Sequence, residues 1–125
     1  GVGFFLAVHE GPQTIGTSAS GYLNVPLMPG MVTTVEPGLY REGQYGVRTE
    51  NMTLVVEDQA NEFCTFYRFE TLTLVPIDRQ LIDKDLLTPA EIAWINNYHR
   101  KVCAELAEFL TDNERAWLKE ATQPL

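Results

Sequence analysis

The sequence predicts an α+β fold, an antiparallel sheet followed by two C-terminal helices, on three observations. Up to about residue 78 the apolar residues alternate in short runs with the period of two that a strand demands. That stretch is broken by Pro-Gly and glycine-bearing reversals. Beyond it, Thr88-Pro89-Ala90-Glu91 and Thr111-Asp112-Asn113-Glu114 each start a run whose apolar residues recur every three or four positions. A chain of 125 residues can bury one core. It therefore reads as part of one domain, with residues 1–78 the sheet portion carrying the candidate site and residues 88–122 a helical tail.

Taken in order, Gly1 to His9 places Phe5, Ala7 and His9 on one face and Phe4, Leu6 and Val8 on the other, the pattern of a strand covered on both sides. Gly11 to Gly30 holds three prolines and the run Thr17-Ser18-Ala19-Ser20-Gly21, and reads as an exposed loop at an edge of the site, a plain connection or a shaper of substrate access. Pro29-Gly30 turns into a strand, Met31–Glu36, on which Val32, Thr34 and Glu36 share a face. The chain reverses near Gly43 and returns along Val47–Val56, with Met52, Leu54 and Val56 expected to point inward. Asp58–Asn61 reads as a turn, Phe63–Phe69 as a further strand, and Glu70–Pro76 as another alternating run. The cluster Phe63, Phe66, Tyr67 and Phe69 is assigned to core or interface.

Proline at the first helical position, inside a capping box, makes Thr88–Glu91 a strong helix start. Ile92, Ile95, Val102, Leu106 and Phe109 then mark one buried stripe, and His99 on that stripe reads as a packed structural residue. A shorter helix carries Trp117 and Leu118. Both helices are given packing or oligomer-contact roles and no chemistry.

A formal charge of −8 and a pI near 4.6 argue against nucleic acid or an anionic membrane as partner, because both demand clustered Lys and Arg. Cys64 and Cys103 lie in no CxxC pattern and read as buried free thiols of a reducing compartment. The apolar opening lacks a basic leader and is too short to span a bilayer. No phosphate-binding glycine loop, internal repeat or Ser-His-Asp arrangement stands out.

The chemistry concentrates in Val35–Asn51, VEPGLYREGQYGVRTEN. Glu36 and Glu50 are equidistant from Gly43, so an antiparallel pairing of the two arms sets them face to face on one side. Pro37-Gly38 interrupts the ladder and could shift that register by a bulge. Like charges so opposed destabilise a sheet unless something positive lies between, and a pair of divalent cations bridged by the carboxylates is one solution. A solvated glutamate pair is the other. Arg48 shares a face with Glu50 and either orients a carboxylate through its planar fork or is an ordinary strand arginine. Tyr40, past the bend, reads equally as a packed aromatic. His9, at a strand end, reads from its position alone as a hydrogen-bonded structural residue.

The sequences EPGLY and GVRTEN, with VHEGP upstream, resemble the catalytic domain of the Xaa-Pro aminopeptidases (aminopeptidase P), metallopeptidases of family M24 with the pita-bread fold. ETLTLVPIDRQLID, LLTPAEIAWINNYH and ATQPL are similar to the larger cytosolic type of that family. The resemblance covers essentially the whole chain and implies the C-terminal half of a pita-bread domain. It implies hydrolysis of the N-terminal Xaa-Pro bond of peptides with proline second. Glu36 is then a metal ligand that also carries the proton from attacking water to leaving amine, and Glu50 a ligand bridging two divalent ions. Manganese is expected, with zinc or cobalt as alternatives. His9 and Tyr40 are implied to contact substrate, His9 also the developing tetrahedral intermediate, and Arg48 is grouped with them.

In the family pattern the metal-binding histidine stands immediately before GVG, and two aspartate ligands lie further upstream. The chain therefore looks like a C-terminal fragment that carries two of five ligands. In isolation it is expected to bind metal weakly, to be inactive and to self-associate through uncovered apolar faces. The parent is expected to be a cytoplasmic homo-oligomer. The competing reading is a non-catalytic pita-bread binding module.

Overall fold

The structure is a computed structural model of the 125-residue chain, described here for residues 1–16 and 25–125. It divides into two compact units, Gly1–Thr73 and Leu74–Leu125. Among the described residues no helix is long and apolar enough to cross a membrane. The loop reading of Gly11–Gly30 falls in part on Thr17–Asn24, including the Thr-Ser-Ala-Ser-Gly run, which lies outside the described residues.

The first unit is built of strands β1 (Val32–Val35), β2 (Gly38–Arg41), β3 (Tyr45–Arg48), β4 (Asn51–Ala60) and β5 (Thr65–Thr71). β1, β4 and β5 form a three-stranded antiparallel sheet with β4 in the centre, and β2 and β3 form a separate two-stranded ladder. The expected Pro29-Gly30 turn is present: Met31 N–H donates to Met28 O at 3.1 Å and Gly30 N–H to Val55 O at 2.9 Å. At the tip of the β2–β3 hairpin Gln44 N–H donates to Arg41 O at 3.0 Å. Gly43 there has φ +69°, a conformation that a side chain resists.

The buried face of this sheet is the one holding Thr33, Thr53 and Val55. This corrects the expectation that Met52, Leu54 and Val56 point inward. They lie on the opposite face of the pleat, together with Glu50, and are exposed or half-buried. Thr53 tolerates burial because its hydroxyl donates to Thr33 O at 3.0 Å.

Further expectations fail in whole or in part for physical reasons. Gly1–His9 is not a strand; Val2 and His9 form a single bridge and the residues between loop outward. The amides of Phe4, Phe5, Leu6 and Ala7 find the Glu10 carboxylate instead of a neighbouring strand. The turn placed at Asp58–Asn61 falls later, because β4 runs to Ala60 after a bulge between Glu57 and Gln59. Asn61 closes the reversal, its side-chain oxygen accepting from Phe63 and Cys64 N–H at 2.9 and 3.1 Å. Cys64 consequently sits exposed at a turn and Cys103 is half-buried, so neither thiol is fully buried. The Phe63, Phe66, Tyr67 and Phe69 side chains are likewise exposed, and form no core of this unit.

The second unit begins in extended chain and two 3-10 turns, Arg79–Leu81 and Lys84–Leu86, each opened by an aspartate cap. Helix α1 (Pro89–Leu106) starts on the expected capping box, Thr88 and Glu91 bonding each other's backbone, with proline in the first turn. Helix α2 (Asp112–Ala121) starts on a second box between Thr111 and Glu114. Each such cap is worth about 1 kcal/mol of helix stability.

Tyr98, Val102 and Leu118 form the core of this unit, with Leu74, Ile77, Leu106 and Leu110 packed around it. Complete burial of Val102 and Leu118 contributes roughly 1.5–3 kcal/mol apiece. Phe109 does not join that stripe: α1 gives way to a 3-10 turn, Ala107–Phe109, and the ring swings out to 76% exposure. His99 is a packed structural residue as expected. It is wholly buried and its Nε2 accepts from Ile77 N–H at 3.0 Å. Burial foremost, and then the positive charge of Arg79, holds its pKa below the usual imidazole value.

Candidate functional site

The register of the hairpin decides where the two acids fall. β1 and β4 pair Val35 with Asn51, and β2 and β3 pair Gly38 with Arg48. Both ladders thus share one register. The two steps between them carry Glu36 and Pro37 on one arm and Thr49 and Glu50 on the other. Pro37 removes a donor there, yet Thr49 N–H still reaches Pro37 O at 3.4 Å, and no residue is gained or lost. Glu36 therefore stands opposite Glu50, as the spacing about Gly43 predicts.

What lies between the carboxylates is Arg48. Its Nη1 donates to Glu36 Oε2 at 2.8 Å and stands 3.8 Å from Glu50 Oε2. Its Nε donates to Tyr40 Oη at 2.6 Å, so the planar fork serves two partners in fixed directions. The Tyr40 hydroxyl first, and then the two carboxylates, raise the already high pKa of this guanidinium. Tyr40 can lie back along the hairpin because its neighbours on that face are Gly38 and Gly46. A Cβ on either would come within 2.6 or 2.7 Å of the tyrosine side chain.

Glu36 is held from three sides. The Thr34 hydroxyl donates to Oε1 at 2.7 Å, Arg48 holds Oε2, and His9 Nε2 stands 3.6 Å from Oε1. The Thr34 hydrogen bond is the largest of the causes that keep its carboxyl below the usual range; the charges of Arg48 and His9 act the same way, against partial desolvation. Glu36 is thus a carboxylate well below neutral pH, the form in which a cation competes with no proton. Beside it opens a cavity of about 440 Å³, lined by His9, Thr14, Ile15, Gly16, Thr34, Glu36 and Pro37 among others.

All five residues singled out from the sequence are thereby connected: Glu36 to His9 and Arg48, Arg48 to Glu50 and Tyr40. Two were missed. The sequence places Thr34 only on the strand face it shares with Val32 and Glu36, although its position two residues before the acid is signal enough for a hydrogen bond. Glu10 gave no periodic signal at all; it is simply the first charged side chain of the chain, next to a segment whose amides need an acceptor.

The donor set suits a divalent ion in kind, since carboxylate oxygens are the hard ligands that such ions prefer. It is incomplete in number: among the described residues no three His, Cys, Asp or Glu side chains cluster closely enough to hold a metal. Glu36 and Glu50 present carboxylate oxygens of the right kind, but only two such side chains meet here.

Comparison with known proteins bears on the whole chain. The sequence model described as metallopeptidase family M24 matches residues 1–57, and that described as the C-terminal region of peptidase_M24 matches residues 65–125. The chain is 45% identical, over all of its length, to 20% of aminopeptidase P1 of Arabidopsis thaliana. It is 43% identical over 99% of its length to 21% of a "Probable Xaa-Pro aminopeptidase P" of Pyricularia oryzae. Among solved structures it is similar to an X-prolyl aminopeptidase of Caenorhabditis elegans, described as a cytosolic enzyme with a di-nuclear active site. The TM-score is 0.85 at 40% identity, over 99% of this chain and 20% of that one. The chain thus spans about a fifth of the length of the relatives it matches.

Proposed function

The chain belongs to metallopeptidase family M24 and has the antiparallel sheet and two C-terminal helices of a pita-bread aminopeptidase domain, and from that premise we propose that it is the C-terminal part of an Xaa-Pro aminopeptidase. The enzyme releases the N-terminal residue of peptides whose second residue is proline. Glu36 and Glu50 would hold two divalent ions, manganese in the cell, and such ions would supply Lewis-acid polarisation of the scissile carbonyl and a water of lowered pKa. The remaining ligands lie on the rest of a longer polypeptide.

The observation that carries this reading is the convergence of Glu36 and Glu50 on one positive centre, Arg48 Nη1, at 2.8 and 3.8 Å. Two carboxylates presented from opposed positions of one hairpin face are a ready bridge for cations. Glu36, ionised at working pH, accepts the proton of the attacking water and returns it to the leaving amine. His9 contacts the substrate carbonyl from beside Glu36, and Tyr40 and Arg48 line the substrate side of the same face. The cavity bounded by Thr14, Ile15 and Pro37 receives the peptide. The worm enzyme's cytosolic description supports a cytoplasmic location. The many exposed apolar side chains, Phe4, Phe5 and Phe63 among them, support self-association of the isolated chain, which on its own has too few ligands to be active; the parent is proposed as a homo-oligomer on family likeness alone.

The test is hydrolysis of Xaa-Pro peptides by the full-length protein with added manganese, followed by chromatography of the released residue. Cleavage confined to peptides with proline second is the expected result. No cleavage of any such peptide would favour a non-catalytic binding module.

A further inference from the structure

We propose that Glu10 is a positioning residue for this reaction: by fixing the loop between Val2 and His9 it holds the His9 side chain against Glu36. The proposal rests on the peptidase reading above, in which His9 contacts substrate.

Four consecutive backbone N–H groups converge on this one carboxylate. Phe4 and Phe5 donate to Oε2 at 2.9 and 3.4 Å, and Leu6 and Ala7 to Oε1 at 2.8 and 3.2 Å. Such donors favour the charged form, and they hold the Glu10 carboxyl below the usual range. The loop is closed beneath them by Gly3 N–H to Val8 O at 2.7 Å and by the Val2–His9 bridge. Its base is tied to β1 at Val32 O, which accepts from Val2 N–H at 3.1 Å and from Gln13 Nε2 at 2.9 Å. Val32 lies on the same strand face as Thr34 and Glu36, so the loop and the acid share one mount.

Side-chain packing within this unit does little to hold the loop, since Phe4, Phe5, Leu6 and Val8 are 82–96% exposed. Its shape is a backbone matter, and Glu10 is the acceptor that defines it. His9 follows directly on that loop and precedes Glu10, with Nε2 3.6 Å from Glu36 Oε1. Loss of the clamp frees the amides to turn towards water and carries the histidine with them.

The experiment uses the full-length metal-loaded enzyme with Glu10→Gln, Glu10→Ala, His9→Ala and the Glu10→Ala/His9→Ala double variant. Glutamine keeps one acceptor oxygen and offers an NH2 where the second stood, so it should fall between wild type and alanine. Glu10→Ala is expected to lower kcat by about 10- to 100-fold with KM changed less, because misplacement by about an ångström costs that much. In the His9→Ala background it is expected to cost nothing further, whereas a merely structural role would cost the same in both. Hydrogen exchange of the Phe4–Ala7 amides should quicken in both Glu10 variants, and the His9 ring resonances should move. Additive losses, unchanged exchange, or unmoved His9 resonances in Glu10→Gln, the variant most certain to fold, would each overturn the proposal. A wild-type protein that cleaves no Xaa-Pro peptide sinks the peptidase reading instead, and the exchange and resonance comparisons still decide the clamp.

Discussion

Arg48 Nη1 donates to Glu36 Oε2 at 2.8 Å across the unpaired step of the hairpin, and the same nitrogen stands 3.8 Å from Glu50. A guanidinium thus occupies the ground between two carboxylates that would otherwise repel. It relieves the like-charge pairing and fixes where both acids point.

Removing that charge should be costly and hard to repair. On the proposed function, Arg48→Ala in the full-length protein is expected to lower kcat/KM by about 10- to 100-fold, the usual effect of losing a partner that orients a metal ligand. Arg48→Lys should restore little, because an ammonium cannot serve Tyr40 and Glu36 in two fixed directions at once. Steady-state kinetics with parallel metal analysis checks both.

On the same proposal, the acids themselves should carry the larger effect. Glu36→Gln and Glu50→Gln each keep the shape of the side chain and remove the anionic oxygen. Each should lose activity by at least about 100-fold, and bound metal should fall with it. Elemental analysis of the purified variants showing full metal content in both would contradict the assignment of these residues as ligands.

A methyl group at position 46 should act at a distance. Gly46→Ala places a Cβ 2.7 Å from a ring carbon of Tyr40. That ring is 60% exposed and can swing aside, so stability should change by less than about 1 kcal/mol. Activity should fall as far as it does in Tyr40→Phe, since both changes cost Arg48 its Nε partner. Denaturant titration alongside kinetics of the two variants separates these effects.

The second unit should weaken on mild acidification. His99 has a folded pKa below its ordinary value of 6.5, so the unfolded chain takes up the proton first. The stability that its neutral burial contributes is present in full above 6.5 and is lost as pH falls from there towards the folded pKa. Glu91 and Glu114, whose pKa values lie below 4.5 chiefly through the Thr88 and Thr111 hydroxyls, add a separate loss as pH falls below 4.5 through their folded values. Unfolding midpoints measured between pH 5 and 8 should decline below 6.5 in the wild type. They should stay nearly level in His99→Gln, which keeps an acceptor for Ile77 N–H.

Most of the sheet, the helix starts and the pairing of the acids could be read from the sequence because each depends on local rules. The register follows from counting about Gly43, and the two capping boxes state their own function in four residues. Gly1–His9 misled because alternation records only which residues are apolar, and there the amides were claimed by a side chain beyond the segment. The buried face of β4 was misassigned because threonine at positions 33 and 53 reads as polar, whereas the Thr53 hydroxyl is satisfied by Thr33 O. Phe109 left its stripe where a change of helix type altered its direction, which no periodic count foresees.

The single alignment kept through both ladders, across a proline that could have broken it, has a consequence for how this segment can vary. Adding or deleting one residue on one arm between Glu36 and the tip would send an acid to the far side of the pleat, whereas a change of two would return it. Tolerated length changes in this stretch should therefore come in even steps.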